Sequence, residues 1–499
     1  MPIARPASSV ISAVALAGGI LLACLAASAA ANATPDAHAA PARPTDPRPN
    51  IIFIMADDLG WGELGSYGQA WIRTPAIDRI AREGMQFSQH YAGAPVCAPS
   101  RCVLLTGRRS THAYVRDNKE NGGWGPDEPE GQLALPAGTP TIARSLQAAG
   151  YATGAIGKWG LGGPDSSGMP DQQGFDFFYG YLCQRVAHNL YPTHLWRNGT
   201  REDLPGNEWG NLVGQTYAHD RMAEEALAFI DRHAGEPFFL YLPFHIPHLA
   251  LQAPQEEIDR YADLPEDGPY EGGKGYLPHP TPRRAYAAMV TRMDRDIGRI
   301  MDALAAAGID DRTAVFFTSD NGPTFDIGGA DSDFFESAPN ARGRKGSVYE
   351  GGLRVPLVAR WPGRIAPGSL SDHLSSFEDW MPTLLDLAGV DAVPPTEGIS
   401  FGPELVGDGE QPEHAFLQWE FPGYRGQQAI RQGRWKAVRR NIKQGNRDIQ
   451  LYDLAADPTE SRDVAAEHPE LVARFDRLMR EGRVPSPEFP LPGFDPEVP

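Results

Sequence analysis

The sequence predicts an α/β fold: a large, mainly parallel sheet flanked by helices, followed by a smaller C-terminal α+β domain. Three observations predict it. Short, nearly continuous apolar runs recur along the chain, as expected of strands buried on both faces. Stretches between them repeat apolar residues at three and four positions, the mark of amphipathic helices. After about residue 395 the pattern changes to short strands broken by turns.

The first strand is read at residues 50–56 (NIIFIMA), where β-branched residues dominate. Similar runs follow at residues 152–156 (ATGAI), 237–244 (PFFLYLPF) and 313–318 (TAVFFT). One helix is marked by Met222, Ala226, Phe229 and Ile230. A longer one carries Tyr286, Met289, Val290, Met293, Ile297, Ile300, Met301 and Leu304, and Gly308 closes it. Strands alternating with helices imply parallel pairing. Residues 253–283 are rich in Pro, Gly, Asp and Glu and read as a surface excursion near the site entrance. Beyond residue 395, residues 428–438 and 449–454 read as antiparallel strands. A closing helix near Pro469 carries Leu471, Val472, Phe475, Leu478 and Met479. The expected divisions are residues 1–33, 34–48 (a Pro/Ala/Asp linker), 49–395 and 396–499.

At 499 residues the chain exceeds what one simple core organises. Its 64 acidic and 45 basic side chains give a formal net charge of -19. No broad positive field is then available for nucleic acid or an anionic membrane surface. Arg5 is the only charged residue before Asp36, an apolar run spans residues 10–27, and Ala31-Asn32-Ala33 offers an A-x-A cleavage site. Residues 1–33 therefore read as a signal peptide, against the alternative of a membrane anchor, and no membrane span is expected after its removal. Leu21-Leu22-Ala23-Cys24 is a poor lipoprotein signal, so lipidation at Cys24 is the weaker reading. Export would leave Cys97, Cys102 and Cys183, an odd number that cannot form a simple disulfide framework.

Ligands of open α/β sheets bind beyond the carboxyl ends of the strands. Asp57-Asp58, Gly157-Lys158, His245 with His248, and Asp320-Asn321-Gly322 each follow one of the four runs. Asp57, Asp58, Asp320 and Asn321 are oxygen donors of the kind calcium or magnesium prefers, and no zinc-type Cys/His spacing competes. An Asp-Asp pair alone is more often a cap or a turn; two such pairs at strand ends point to one metal site. Residues 97–108 read CAPSRCVLLTGR, with Pro99 suited to the first turn of a helix. Cys97 then stands at a helix N-terminus, where unpaired N–H groups favour an anion, and on residue type alone it suggests a thiolate nucleophile.

The segment resembles the C-x-P-S-R…L-T-G-R signature of the sulfatase family. Asp57-Asp58, Gly157-Lys158-Trp159, Pro247-His248, Asp320-Asn321-Gly322 and residues 344–356 (RKGSVYEGGLRVP) are similar to further blocks of that family in the same order. Residues 431–436 (RQGRWK) and 451–454 (LYDL) resemble its smaller domain, so the likeness runs from about Pro49 to Met479. The resemblance implies an alkaline phosphatase-like mixed sheet, a catalytic domain over residues 49–395, and sulfuric ester hydrolysis. It also implies that a formylglycine-generating maturation enzyme oxidises Cys97 to formylglycine (3-oxoalanine), held as a gem-diol. Ca2+, with Mg2+ as the alternative, would be bound by Asp57, Asp58, Asp320, Asn321 and residue 97. The gem-diol would attack sulfur to give a covalent sulfo-enzyme. Arg101 would orient the gem-diol, Lys158 and Lys345 would clamp sulfate oxygens, and His248 would protonate the leaving alcohol.

One position departs from the pattern. Many sulfatases read G-K-W-H where this chain has Gly157-Lys158-Trp159-Gly160. A base from residues 188–194, or a water, is expected to replace that histidine. His188 and His194, beside Trp196, also suit contacts with a sugar ring, against the alternative of a packed loop. The expected substrate is a small-molecule or oligosaccharide sulfate ester, most readily a sulfated carbohydrate, met in the periplasm or outside the cell. The rival readings are a phosphodiesterase or phosphonate hydrolase of the same superfamily, and an inactive extracellular glycan-binding homologue.

Overall fold

The computed structural model describes residues 47–495, apart from residues 124, 126 and 127. The expected signal peptide, Cys24 and nearly all of the linker lie outside the described residues. The large sheet contains, in chain order, β1 (Asn50–Ala56), β2 (Met85–Tyr91), β3 (Ala152–Lys158), β4 (Phe177–Tyr181), β5 (His194–Arg197) and β6 (Thr200–Asp203). It continues with β7 (Phe238–Pro243), β8 (Thr313–Ser319), β9 (Arg354–Arg360), β10 (Ser369–Ser371) and β11 (Ser375–Ser376). Across the sheet the order is β10-β2-β9-β8-β1-β7-β3-β4-β5-β6, with β11 pairing to β2.

The apolar runs form central strands because both their faces are covered. In β1, Ile52, Ile54 and Ala56 point into one core and Ile51, Phe53 and Met55 into the other, the two-residue period of a pleated strand. Helices Ala218–His233 and Pro282–Ala306 supply Met222, Ala226, Phe229, Met289, Met293 and Ile297 to the first core. Helices Cys97–Thr106, Ile142–Ala148 and Trp380–Leu387 supply Val103, Leu104, Leu146, Trp380 and Leu384 to the second. Each Val, Leu, Ile, Phe or Met among them, once buried, contributes about 1.5–3 kcal/mol.

Strand direction decides where the chemistry goes. β1 is parallel to β7 and β8, and β3 is parallel to β7. The carboxyl ends of β3, β7, β1 and β8 therefore share one edge. β9 runs antiparallel to both β8 and β2, so the sheet is mixed. This reversal sends the end of β2 and the start of β9 to that same edge. The segment 92–97 leaves β2 there, and the loop 344–353 arrives there before β9; Ala92 N–H donates to the Leu353 carbonyl at 2.8 Å.

After residue 396 come β12 (Leu417–Phe421), β13 (Gln427–Gln432), β14 (Trp435–Arg440) and β15 (Gln450–Asp453), an antiparallel meander in that order. Its alternating residues again divide by face. Ile430, Ala437 and Leu451 pack with Phe475 and Met479 of helix Pro469–Glu481. Ala429, Val438, Tyr452 and Trp419 pack instead against Tyr91, Val96, Tyr349 and Leu353. The small sheet thus braces the two loops that converge on the edge of the large one. The excursion at 253–283 is more ordered than its composition suggests: it holds helix Gln255–Asp259 and a Tyr270–His279 bridge, and His279 is buried.

Candidate active site

Cys97 is the first residue of the Cys97–Thr106 helix, all ten residues of which are buried. Pro99 occupies the third helical position, where its missing N–H costs no intrahelical bond. Gly107 ends the helix in left-handed backbone (φ 63) and donates its N–H to the Val103 carbonyl. The N-terminus has no cap from its own Ncap residue, Val96. Asn118, twenty residues along, accepts the Ala98 N–H at 3.0 Å, and its own N–H is held by the Asp117 carboxylate at 2.8 Å. No sequence motif pointed to Asn118.

Around the Cys97 sulfur the strand ends deliver paired charges. Lys158 Nζ, from the last residue of β3, lies 3.6 Å from Sγ and 2.6 Å from Asp57 Oδ2. Lys345 Nζ lies 3.4 Å from Sγ and 2.8 Å from Asp58 Oδ2. Asp57 Oδ1 is 3.4 Å from Sγ. Arg101, one helical turn beyond Cys97, donates Nε and Nη2 to Asp320 Oδ2 at 3.1 and 2.7 Å and Nη1 to the Lys158 carbonyl. Its guanidinium fixes the positions of Asp320 and Lys158. Asp58 stands in left-handed backbone (φ 66), with its N–H on Asp320 Oδ1 and its Oδ1 accepting from Asn321 Nδ2 at 2.8 Å.

Burial sets the proton balance here. It pushes the Cys97 thiol up, and the charge of Asp57 pushes the same way, against Lys158 and Lys345. This is the opposite of the depressed pKa that a thiolate nucleophile needs. Burial also raises the Asp58 carboxyl, and it raises Asp320 to about 7, helped there by Asp57. Asp57 overcomes burial through Lys158, then His248, Arg101 and Lys345, and is held well below the usual carboxylate range. The three carboxylates are met by three cations, Arg101, Lys158 and Lys345, each within ion-pair distance. One ligand atom each from Asp57, Asp58, Cys97 and His248 lies within 4.8 Å of the others. Asn321 Oδ1 is buried with no hydrogen-bond donor, an unsatisfied acceptor beside that cluster. The side-chain oxygens of Asp57, Asp58, Asp320 and Asn321, one of them an orphaned carbonyl, fit a hard divalent cation such as calcium.

His248 donates Nδ1–H to the Leu249 carbonyl at 2.7 Å, which leaves Nε2 aimed at Asp58 Oδ2, 3.7 Å away. Burial, then Lys345 and Lys158, hold its pKa well below the ordinary histidine value. His188 stacks on His248, with centroids 4.8 Å apart, and Tyr276 stacks on His188 at 5.5 Å. His188 is thereby brought to the cluster. Its Nδ1 accepts from Arg185 Nη1 at 3.2 Å, so it offers the cluster an N–H and no lone pair. His194 is not brought there: its Nε2 meets Glu130 Oε1 at 2.8 Å and its Nδ1 meets Thr193 Oγ1 at 3.1 Å.

Gly160 has φ 79, and a Cβ at that position would lie 2.6 Å from Gln184 Nε2. The Gln184 carboxamide therefore fills the space a side chain at 160 would take. It is a neutral group that neither accepts nor releases a proton near neutral pH, so it supplies volume and no base. Cys102 and Cys183 are free and buried, and neither contacts the cluster through any hydrogen bond among the described residues.

Comparison with known proteins identifies relatives over nearly all of the described chain. The Sulfatase family model matches residues 49–390, and the model of the N-sulphoglucosamine sulphohydrolase C-terminal region matches residues 344–483. Arylsulfatase A of Homo sapiens is 34% identical over 490 residues, covering 86% of this chain and 87% of its own. N-acetylgalactosamine-6-O-sulfatase of Bacteroides thetaiotaomicron is 30% identical over 507 residues, covering 87% and 92%. The solved structure of Ps i-CgsB in complex with k-i-k-neocarrahexaose superposes with a TM-score of 0.70 at 28% identity, covering 89% of this chain and 94% of that one.

Proposed function

The chain belongs to the sulfatase family, and from that premise we propose that this sulfuric ester hydrolase removes sulfate from carbohydrates through a formylglycine made from Cys97 and a covalent sulfo-enzyme. The observation that carries the proposal is the pair of ammonium groups, Lys158 and Lys345, at 3.6 and 3.4 Å from the atom at the head of residue 97. In the matured protein an oxygen replaces that sulfur. A sulfuryl group above it would meet both lysines, whose charges offset the negative charge that grows on its oxygens during displacement.

Asp57, Asp58, Asp320 and Asn321 would hold the calcium ion together with residue 97. Bound there, calcium supplies neutralisation of the sulfuryl charge and a lower pKa for the attacking hydroxyl. The remaining roles belong to the chain. Arg101 locks Asp320 and the end of β3, keeping Lys158 in place. His248 carries its proton on Nδ1 in the resting site, so it donates from Nε2 only after an anionic substrate has raised its pKa. His188, flat against His248, fixes the ring plane. With Gly160 and Gln184 supplying no base, a water is the remaining group to take the proton that the last step releases.

The carbohydrate substrate is supported by the curated sugar sulfatase among the relatives and by the oligosaccharide in the superposed structure. Export to the periplasm or beyond, after removal of residues 1–33, is part of the same proposal, as is maturation by a formylglycine-generating enzyme. No helix among the described residues is long and apolar enough to cross a membrane. The test is sulfate release by the matured protein from a panel of position-defined sulfated sugars, beside aryl sulfate and aryl phosphate esters, with mass analysis of the Cys97 peptide. Sulfate release together with a thiol-to-aldehyde conversion at residue 97 is expected. Preferred turnover of the phosphate ester, or an unmodified Cys97 in an active preparation, would sink the proposal.

A further inference from the structure

Tyr424 lies in the turn between β12 and β13 and is 59% exposed, a large ring left in solvent beside a sheet that buries Trp419, Phe421 and Tyr452. Its backbone is left-handed (φ 45), and Arg425 (φ 75) and Gly426 (φ 81) continue in the same region. A residue with a Cβ adopts that conformation only where its surroundings hold it, and such positions gather at ligand clamps. Here the turn is pinned from two sides: Gly426 N–H donates to the Gly423 carbonyl at 2.9 Å, and Lys443 N–H donates to the Arg425 carbonyl at 2.8 Å. The turn sets the ring against the loop that carries Lys345. A Cβ at Gly346 would fall 1.9 Å from Tyr424 Cε2, so the ring edge occupies the volume beside the residue that follows Lys345. Lys345, Asp117, Asp58 and Cys97 all act electrostatically on the Tyr424 hydroxyl. Phe421 supports the ring edge-on, with centroids 5.6 Å apart.

Asp117 completes the arrangement. Its Oδ1 is used by the Asn118 N–H at 2.8 Å, whereas its Oδ2, beside Gly423 in the same turn, has no donor among the described residues. A ring face next to a free carboxylate oxygen suits a sugar, whose C–H face stacks on the aromatic and whose hydroxyls donate to the carboxylate. Burial raises the Asp117 carboxyl to about 6, against the Asn118 N–H and the charge of Lys443; ionised above that pH, it repels a second anionic substituent on that sugar that lies nearer to it than to Lys443.

Resting on the carbohydrate reading above, we propose that Tyr424 and Asp117 form the subsite for the sugar ring that bears the scissile sulfate, and that they select a ring with a free hydroxyl, not a second sulfate, on the Asp117 side. The subsite belongs to the C-terminal sheet as much as to the large one. That sheet therefore contributes to substrate choice as well as to bracing.

The test uses the matured full chain and, as substrates, monosulfated and disulfated forms of the sugar that the wild type turns over best. Tyr424→Ala is expected to raise KM for the monosulfated sugar about 30-fold, as truncation of a buried-face aromatic anchor does, with a much smaller change in kcat. Tyr424→Phe is expected to recover most of that affinity. Inhibition by inorganic sulfate, which needs only the lysines and residue 97, reports whether the sulfate site of each variant is intact. Asp117→Asn is expected to raise the disulfated-to-monosulfated ratio of kcat/KM about tenfold, the effect of removing one unfavourable charge pair. A Tyr424→Ala variant that keeps KM within about threefold would overturn the subsite, as would a Phe variant no better than Ala. An unchanged ratio in Asp117→Asn would overturn the selectivity. A wild type that desulfates aryl esters but no sugar would overturn the carbohydrate reading itself, a result distinct from these.

Discussion

Replacing Asn118 by alanine removes the side-chain partner that the Ala98 N–H has among the described residues. Ala98 is fully buried, so its N–H has little access to water while the helix is closed. A buried donor left without an acceptor costs about 1–3 kcal/mol, in the upper range of losing a helix cap. Taking the middle value, about 2 kcal/mol corresponds to a factor of about 30 in the opening equilibrium of the Cys97–Thr106 helix. Hydrogen exchange of the peptide covering residues 97–106, followed by mass spectrometry, measures that factor directly. Asn118→Asp keeps an acceptor at the same place and adds a charge favoured at a helix N-terminus, so its exchange should stay within about threefold of the wild type. If Asn118→Ala leaves the exchange of residues 97–106 unchanged, or if Ala and Asp variants behave alike, the helix start is not held by the Asn118 side chain.

Lys345→Met should lower kcat by about 10²–10³-fold, the usual loss for one preorganised donor to a developing anion, and steady-state assay with a saturating sulfate ester reads it. Asn321→Ala removes the orphaned Oδ1, and calorimetric titration of metal-stripped protein should show calcium binding weakened at least about tenfold. His414 pairs with Asp379 at 2.7 Å; burial opposes its charge, but the Asp379 hydrogen bond and charge prevail and raise its pKa above 6.5. A histidine raised on folding contributes stability that is complete below pH 6.5 and lost as pH climbs through the folded value. Melting temperature followed across pH 6 to 9 should therefore fall less steeply, by roughly the share of one histidine, in His414→Gln than in the wild type.

Much of the site was legible because its parts sit at the ends of strands that announce themselves. The apolar run before Asp57 (β1) and the one before Asp320 (β8) are buried on both faces, and their parallel pairing brings their last residues to one edge. Cys97 at a helix start followed in the same way from Pro99. Lys345 was placed by family likeness and not by pattern. Its loop reaches the edge because β9 reverses direction, and nothing in the apolar run of β9 encodes that reversal. Asn118, Gln184 and Tyr424 carried no signal at all. Each sits in irregular chain and acts across a long-range contact, and such contacts leave no periodicity to read. His194 illustrates the converse: its aromatic neighbourhood looked like a ligand surface, but Glu130, sixty-four residues away, takes up its ring nitrogen.

The complete burial of the Cys97–Thr106 helix also imposes an order of events on the life of the molecule. No modifying enzyme can grip a segment whose every residue is inside the fold. If residue 97 is oxidised as proposed, the reaction has to happen while residues 97–101 are still an extended peptide. The native state is then a lock as well as a catalyst: it seals in any cysteine that was missed. Mixed sheets with distant strand partners close slowly, and that delay is the interval in which maturation must be finished. A substitution that merely hastens folding, far from any reacting atom, could in this way lower the fraction of molecules that ever become active.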